Sequence, residues 1–373
     1  MADKQKNRVL VLDASYDDRL LADAMDKIFQ EFPMDLEGKN VLVKPNILAG
    51  EPPEKGVTTH PSLVRAIVNK LQQQGAKVMV GDNPGVFGYG RSEKAAITSG
   101  IKDAAGDCFV KLSRTPVRQK LSNRNVDHVT IAGDVLSADL VINLPKLKTH
   151  GLTFYTGAVK NTFGYVVGGD KMRTHSLAPT PVKFAEALVD IYAIRPPELN
   201  IMDAVTAMEG NGPHHGKLRE LGKILASPNG VCLDAVAVHM IGRQPESIPH
   251  LKIAAQRGLG TIDISKIDLN TKIVPLRDFK MPATFVTGMV GIFLNRILSK
   301  QMSCLPVVVE EKCQKCGLCV KHCPVGAMKI KKDKCPSADK NICISCYCCQ
   351  EMCPEDAIIL KGRLLNFIRR SAH

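Results

Sequence analysis

The chain has 373 residues, of which 45% are apolar, and it carries a formal net charge of +13. This length allows two or three domains, and the apolar fraction is sufficient for a large core. The longest apolar run, Ala283 to Leu294, is shorter than the roughly 18 residues of a membrane-spanning helix. The N-terminus is polar and shows no secretory signal, so we expect a soluble cytoplasmic protein.

The basic excess indicates an anionic partner: nucleic acid, anionic lipid, an acidic protein or a small anionic substrate. The sequence has no helix–turn–helix pattern and no basic platform interleaved with aromatic residues, so nucleic acid is not favoured. The 13 cysteines indicate a reducing compartment, and ten of them follow residue 312.

Residues 1–300 alternate short β-branched runs with helical patterns, which is typical of an α/β domain with a mainly parallel sheet flanked by helices. In chain order we predict strand 8–13, helix 17–30, strand 40–44, helix 61–71, strand 77–81, helix 90–101, strands 126–131 and 139–143, helix 182–194, strands 199–203 and 223–226, helices 231–241 and 247–258, and strand 272–275.

Four segments are expected along the chain. The α/β domain spans 1–282, an apolar linker helix 283–305, a small α+β unit 306–361, and a basic amphipathic tail 362–373. Such a tail could contact an anionic membrane surface, but docking on its own domain is favoured.

Several predicted strands of the large domain end in cationic or amide side chains. Open α/β sheets bind ligands at the carboxyl ends of their strands, so these side chains can form an electropositive cleft. We predict that a small anionic substrate is bound by Lys44, Asn46, Lys146, Lys160 and Asn161. The predicted catalytic groups are His150, Glu209 and Lys148, with His150 or Glu209 supplying protons.

Other interpretations of these residues stay open. Lys146 and Lys148 alternate at the end of a predicted strand, where solvated charges would give the same pattern. His60 precedes Pro61 and could simply cap a helix. The nucleotide-binding and hydrolase motifs G-x-x-x-x-G-K-[ST], G-x-G-x-x-G and G-x-S-x-G are absent from the sequence.

Two runs of cysteines near the C-terminus share the spacing C-x2-C-x2-C-x3-C-P, ending at Pro324 and Pro354. A zinc ribbon would use paired C-x2-C knuckles, and a disulfide framework would need an oxidising compartment, so this spacing favours two [4Fe–4S] clusters. In two-cluster ferredoxins the fourth cysteine of each run ligates the other run's cluster. We therefore predict one cluster on Cys313, Cys316, Cys319 and Cys353, and a second on Cys343, Cys346, Cys349 and Cys323. Cys335 and Cys348 are interpreted as spare thiols.

This repeat resembles a bacterial-type 2[4Fe–4S] ferredoxin domain. The large domain resembles the DUF362 family over roughly residues 8–255, through the motifs Lys44-Pro45-Asn46, Asn143-Leu-Pro-Lys-Leu-Lys-Thr-His150, Thr156-Gly-Ala-Val-Lys-Asn161 and Glu209-Gly-Asn-Gly-Pro213. The resemblance implies an α/β domain, an iron–sulfur partner module and a redox context. It transfers no catalytic residue.

Three functions follow as hypotheses. The first is an iron–sulfur oxidoreductase that acts on a small anionic substrate in the α/β cleft. The second is an electron-transfer module whose basic α/β domain docks an acidic redox partner protein. The third is a non-redox isomerase or lyase with structural clusters.

Overall fold

The structure is a computed structural model that describes residues 7–84, 92–112, 115–285, 304–321, 323–331, 334–351, 353, 355 and 357–362. Most of the predicted linker helix and nearly all of the predicted tail lie outside the described residues.

One mixed sheet organises the large domain. The strands of residues 7–285 are β1 (Arg8–Asp13), β2 (Asn40–Pro45), β3 (Lys77–Val80), β4 (Pro116–Lys120), β5 (His128–Ala132), β6 (Leu140–Leu144), β7 (Lys146–His150), β8 (Phe154–Thr156), β9 (Leu199–Glu209), β10 (Lys217–Ser227) and β11 (Asp268–Leu269). The main path has the order β11-β1-β10-β9-β6-β2-β3, and β4 pairs with β5 in a separate hairpin. Strands β3, β2, β6 and β9 run parallel, whereas β10 is antiparallel to both β9 and β1. The predicted α/β class with a mainly parallel sheet is confirmed.

The helices of this domain are α1 (Asp18–Glu31), α2 (Pro61–Gln73), α3 (Ser92–Thr98), α4 (Ile101–Ala105), α5 (Gly133–Ser137), α6 (Ala158–Asn161), α7 (Asp170–Leu177), α8 (Pro181–Ile194), α9 (Gly230–Met240) and α10 (Pro249–Gln256). Successive side chains of a strand point to opposite faces of a sheet. In β1, Leu10 accordingly packs with α1 and α2, while Val9 and Val11 pack with α9 and α10.

The structure corrects several predicted boundaries. Within the described part of the predicted helix 90–101, α3 ends at Thr98, and a separate helix, α4, begins at Ile101 after Gly100, which has a φ of 72°. The predicted strand at 272–275 is wrong: the described chain there is irregular, and the edge strand lies earlier, at Asp268–Leu269. Strand β9 continues to Glu209. Strand β10 begins at Lys217, and its first half is charged and partly exposed, so the apolar pattern predicts only its second half as a strand.

The segment after Pro145 was expected to be the polar end of a strand, and it is a strand itself. β7 pairs in parallel with β9 and antiparallel with β8. All five of its residues are buried, so its lysines are not solvated edge charges. Lys146, Lys148 and His150 lie on one face, opposite Leu147 and Thr149.

The C-terminal unit repeats a small α+β pattern. Its elements are β12 (Cys304–Val308), α11 (Leu318–Lys321), β13 (Met328–Lys329), β14 (Ser337–Ala338), α12 (Cys348–Glu351) and β15 (Ile358–Gly362). The first strand pairs antiparallel with the last, and β13 pairs antiparallel with β14.

Candidate functional site

The structure gathers the described thiols of the two cysteine runs into two sets. Cys313, Cys316, Cys319 and Cys353 line one pocket. Burial, followed by the charges of Cys353, Cys316 and Cys313, raises the pKa of Cys319 to about 11. Three thiols of the first run therefore lie with the last thiol of the second run.

The second set combines the runs in the opposite way. Burial raises the pKa of Cys349 well above its usual value, and the neighbouring charges that add to this are, in order, Cys346, Cys343, Cys323 and Cys319. Thiolates are the ligands of iron–sulfur clusters, and each set offers four of them. Cys348, predicted to be spare, is buried beside this set.

The two runs adopt the same backbone turn. Lys315 and Gly317 flank Cys316 with φ values of 53° and 73°, and Ser345 and Tyr347 flank Cys346 with 54° and 62°. Glycine enters this left-handed region without strain, whereas a tyrosine there is uncommon. The position of Tyr347 is therefore held by its surroundings.

Backbone donors also repeat between the runs. The amide of Ala327 donates to Cys323 Sγ at 3.1 Å, and the amide of Ala357 donates to Cys353 Sγ at 3.2 Å. In each case the donor follows the last cysteine of a run by four residues. Hydrogen bonds of this kind stabilise thiolates and tune the reduction potential of a cluster.

The runs differ in their exposure to solvent. Cys316 is exposed, as are the neighbouring Lys312, Lys315 and Lys321. In contrast, every residue from Ser345 to Gln350 is buried. The first run faces solvent, and the second is covered by protein.

The large domain provides that cover. Tyr347 belongs to the same apolar cluster as Leu152 and Phe163 of the α/β domain. A Cβ atom at Gly151 would lie 3.4 Å from Tyr347 Cδ2 and 3.5 Å from Leu360 Cδ1, so the two units meet closely there. Gly151 directly follows His150, and the second cysteine run therefore borders the end of β7.

On β7, Lys146 is paired with a carboxylate. Its Nζ donates to Asp203 Oδ2 at 2.9 Å and to the Tyr16 hydroxyl at 2.8 Å. The Tyr16 hydroxyl in turn donates to Asp203 Oδ1 at 2.9 Å. Both charged side chains are almost fully buried, at 1% and 0% exposure, so the protein itself neutralises Lys146.

Lys44 is also neutralised within the protein. Its Nζ lies 2.8 Å from Asp82 Oδ1, and both side chains are buried. Burial lowers the pKa of Lys44, and Asp82 opposes that shift. Gly164 packs on this pair so closely that a Cβ there would lie 2.1 Å from Asp82 Oδ1.

Lys148, two residues after Lys146 on the same face, has neutral oxygen partners. Its Nζ donates to Asn46 Oδ1 at 2.8 Å and to the Val57 carbonyl at 2.5 Å. Neither partner supplies a negative charge.

Asn46 begins a directional chain of buried side-chain amides. Asn46 Nδ2 donates to Asn161 Oδ1 at 2.9 Å, Asn161 Nδ2 to Asn143 Oδ1 at 2.7 Å, and Asn143 Nδ2 to Asn200 Oδ1 at 2.8 Å. Asn200 Nδ2 ends the chain at the Ser227 carbonyl, 3.3 Å away. Hydrogen bonds that run in one direction polarise one another, so this chain fixes the orientation of Asn46 beneath Lys148.

The predicted proton donors occupy different surroundings. His150 Nδ1 accepts from the Leu152 amide at 3.0 Å, and burial, followed by the charges of Lys160 and other cations, lowers the pKa of His150 well below its usual value. Its ring is therefore neutral at pH 7. Glu209 Oε2 accepts from the Lys280 amide at 3.2 Å and is buried. The half-buried Lys160 lies near the end of α6.

His60 fits the capping interpretation. Its Nδ1 accepts from the Ser62 amide at 3.2 Å at the start of α2, and its ring stacks on Tyr16 with centroids 3.6 Å apart.

Three buried residues that organise this region are not among the predicted site residues. Asn143 and Asn200 are register partners on β6 and β9, a pairing that the sequence does not reveal. Asp234 accepts from the amides of Ala158 and Val159 at 2.7 and 2.9 Å, which anchors α6 and with it Lys160. No local motif marks Asp234, because it lies more than 70 residues from its partners.

The fold and the thiol sets define a two-part protein, an α/β domain joined to a ferredoxin-type segment. Comparison with known proteins gives the same division. The family described as domain of unknown function (DUF362) matches residues 41–239, and the 4Fe-4S binding domain (Fer4) matches residues 306–329. The chain belongs to the DUF362 family.

Relatives of both parts are known. The chain is 35% identical over 225 residues to the thylakoid-associated protein sll1697 of Synechocystis, covering 60% of this chain and 68% of the relative. It is 38% identical over 53 residues to a ferredoxin of Methanothermococcus thermolithotrophicus, covering 14% of this chain and 88% of the ferredoxin. The C-terminal segment is therefore a 4Fe-4S binding unit with an electron-transfer role.

Among solved structures, the lactate racemase apoprotein of Thermoanaerobacterium thermosaccharolyticum has a TM-score of 0.41 and 11% identity, and a Thermotoga maritima protein has 0.40 and 10%. The likeness covers 65% and 66% of this chain, but only 58% and 60% of those proteins. Across the described ranges, no helix has the length and apolar character needed to cross a bilayer.

Proposed function

We propose that this protein is an iron–sulfur oxidoreductase that binds two [4Fe–4S] clusters and acts on a small anionic substrate. One cluster is held by Cys313, Cys316, Cys319 and Cys353, and the other by Cys343, Cys346, Cys349 and Cys323. When bound, such clusters supply one-electron transfer. The thiol grouping and the paired amide–sulfur hydrogen bonds support this assignment.

The observation that carries the proposal is the contact between the second cysteine run and the end of β7. Tyr347 packs against Gly151, and the preceding residue, His150, shares a strand face with Lys148. If the α/β cleft were unrelated to the iron–sulfur unit, we would not expect its cationic strand to end beside the second cysteine run. Substrate bound near Lys148 and Lys160 would lie on the large-domain side of the covered thiol set.

The residues have different tasks within this proposal. Lys148, which is buried on β7, and Lys160, which is half-buried on α6, attract the anion through their positive charges. Asn46 and Asn161 orient Lys148 through the amide chain, and Lys44 and Lys146 complete the lining as ion pairs. His150, whose ring is neutral before a proton reaches it, or Glu209 passes protons to the substrate.

The test begins with anaerobic reconstitution. Two clusters predict about eight iron atoms per chain, because each cubane contains four. The protein is then reduced, and its absorbance is followed as small-molecule and protein fractions of the source cell are added. Reoxidation by a small-molecule fraction, slowed in Lys148→Met but not in the exposed-site control Lys183→Met, supports the oxidoreductase. Reoxidation by neither fraction would leave the isomerase or lyase hypothesis in its place.

A second candidate function is an electron-transfer module for an acidic protein. The observation in its favour is the exposed first run, with Cys316 beside Lys312, Lys315 and Lys321. Surface charge attraction is screened over about 10 Å at 0.1 M salt, so this association should weaken steeply as salt increases. Reoxidation by a protein fraction alone, with that salt dependence, would favour this candidate.

For location we propose the cytoplasm, as the sequence predicts. No disulfide joins the cysteine side chains that the structure describes, which fits a reducing compartment. The thylakoid association in the relative's name suggests a direct check: sedimentation of the full chain with anionic vesicles. Co-sedimentation at physiological salt would contradict a purely cytoplasmic protein.

A further inference from the structure

Two buried threonine hydroxyls beside Lys148 are not used by the residues assigned above. Thr58 and Thr156 are each 2% exposed, and among the described residues neither side-chain oxygen has a hydrogen-bonding partner. The other buried threonines of the described ranges each make a side-chain hydrogen bond. Buried polar atoms are normally paired, so these two hydroxyls require a separate explanation.

Thr156 lies next to Lys148 across the hairpin of β7 and β8. The two residues are register partners of this antiparallel pair. Directly opposite residues of such a pair place their side chains on the same face, with Cβ atoms about 4.5–5.5 Å apart. The Thr156 side chain therefore lies beside the base of the Lys148 side chain, on the face that also carries Lys146 and His150.

Thr58 lies at the other end of the Lys148 side chain. Lys148 Nζ donates to the Val57 carbonyl at 2.5 Å, and this carbonyl belongs to the peptide bond that joins Val57 to Thr58. The next residue, Thr59, is fixed by its own hydroxyl, which accepts from the Asn46 amide at 2.8 Å and donates to a backbone carbonyl at 2.6 Å. Thr58 is thus held between two anchored residues, while its own hydroxyl takes no part in the anchoring.

The fold alone gives no reason for a hydroxyl at either position. A buried hydroxyl without a partner lowers stability, because it loses its hydrogen bonds to water on folding. Valine has nearly the same shape and no hydroxyl, so valine at both positions would suit the fold better. Departures of this kind from the best choice for stability are typical of functional sites.

The position beside Lys148 determines which ligand chemistry fits. A hydroxyl can donate or accept a hydrogen bond. The positive charge of Lys148 attracts negatively charged oxygen atoms and repels cationic groups. Hydrogen bonds to charged acceptors are also the stronger ones. Two hydroxyl donors that adjoin one lysine therefore fit a carboxylate or a phosphate group.

We propose that Thr58 and Thr156 are substrate-binding residues, which donate their hydroxyl hydrogens to oxygen atoms of the anionic substrate that Lys148 attracts. We call these two residues the threonine site. The proposal deepens the proposed function and rests on it for the redox role of the ligand. The two hydroxyls would select an oxyanion over an uncharged molecule of similar size.

The experiment measures the equilibrium binding of small anions to the full, reconstituted and oxidised protein by calorimetry. Acetate and inorganic phosphate are the two probes, which distinguish carboxylate from phosphate recognition, and chloride at equal ionic strength is the reference. We expect saturable binding of one probe. Thr58→Val and Thr156→Val should each weaken it by roughly tenfold or more, because a hydrogen bond to a charged group is lost. Thr156→Ser keeps the hydroxyl and should keep most of the affinity.

Denaturant unfolding without added anion separates binding from a structural role. Thr58→Val and Thr156→Val each remove an unpaired buried group, so their unfolding midpoints should be unchanged or higher. Thr59→Val is the matched comparison, since it removes a hydroxyl that has two partners, and its midpoint should fall. Thr174→Val on α7, whose hydroxyl donates to the Asp170 carbonyl at 2.7 Å, is the binding control and should leave the anion affinity unchanged.

The two proposals can fail separately. Anion binding that depends on both hydroxyls, without reoxidation by any small molecule, keeps the threonine site and removes the oxidoreductase. If neither probe binds above the chloride background, or if either valine variant binds as tightly as the unmodified protein, the threonine site is overturned whatever the redox assay shows. Midpoints of Thr58→Val and Thr156→Val that fall as far as that of Thr59→Val would also overturn it, because the hydroxyls would then stabilise the fold.

Discussion

Replacing Lys146 by methionine should lower the free energy of unfolding by about 3 kcal/mol. The lysine and Asp203 form an ion pair of 2.9 Å with exposures of 1% and 0%. Removing one partner of a buried pair leaves an uncompensated charge and costs about 3–5 kcal/mol. We expect the lower end of that range, because Tyr16 still donates to Asp203 Oδ1 in the variant.

The ion pair can be tested through its second partner. Lys146→Met combined with Asp203→Asn removes both charges but keeps a side-chain oxygen for Tyr16. The double variant should therefore recover most of the loss. Lys223→Met is the matched control, since Lys223 pairs with Asp13 at the surface, where the carboxylate is 91% exposed. That loss should stay below about 1 kcal/mol.

The assay is denaturant unfolding followed by far-ultraviolet circular dichroism. Bound cofactors break two-state behaviour, so variants are compared at matched iron content by their midpoints. Additive losses in the double variant, or a loss below 1 kcal/mol in Lys146→Met, would refute the structural role of the pair. If the folded double variant is no longer reoxidised by the small-molecule fraction, Lys146 belongs to the anion-binding site, as the sequence predicts.

Three further predictions follow from buried contacts. Burial raises the pKa of Asp234 from 3.8 to about 7, so the folded chain retains a proton that the unfolded chain releases. The free energy of unfolding should therefore fall between about pH 4 and about pH 7. Asp234→Asn should flatten that slope when unfolding is measured as a function of pH. Asn161→Leu breaks two links of the amide chain and should cost about 2–4 kcal/mol in the same unfolding assay, whereas the exposed Asn40→Ala should cost under 1. Gly151→Leu crowds Tyr347 and should change the paramagnetic resonance spectrum of the reduced protein without loss of iron, whereas Gly169→Leu, which has open space, should not. An unchanged spectrum in Gly151→Leu would show that the contact between Gly151 and Tyr347 does not influence the iron–sulfur unit.

The two cysteine runs show how much of the site can be predicted from the sequence. Ligand spacing is local, so the two runs predict the thiol sets directly, and the structure brings Cys353 to the pocket of Cys313 and Cys323 to the neighbourhood of Cys349. The β-branched runs likewise predict the parallel core of the sheet, because strand formation depends on residues that are adjacent in the chain.

Strand β7 shows what could not be predicted from the sequence. Its lysines alternate with Leu147 and Thr149, a pattern that normally marks solvated charge on one face. Their burial depends on Asp203, 57 residues from Lys146, and on Asn46, 102 residues from Lys148. No local pattern reveals partners at such distances, so neither the burial nor the different pairing of the two lysines could be predicted.

The pairing of Lys146 with Asp203 limits what this lysine can offer a ligand. The buried Lys146–Asp203 ion pair has little net charge to offer an anion. Lys148 donates to Asn46 Oδ1 and Lys171 to the Pro84 carbonyl, and Tyr347 packs into the same apolar cluster as Phe163. Excess positive charge and exclusion of water both change the potential of an iron–sulfur cluster. A cluster bound by the covered thiol set should therefore differ in reduction potential from a cluster bound by the exposed set, even though the ligands and the backbone turns are alike.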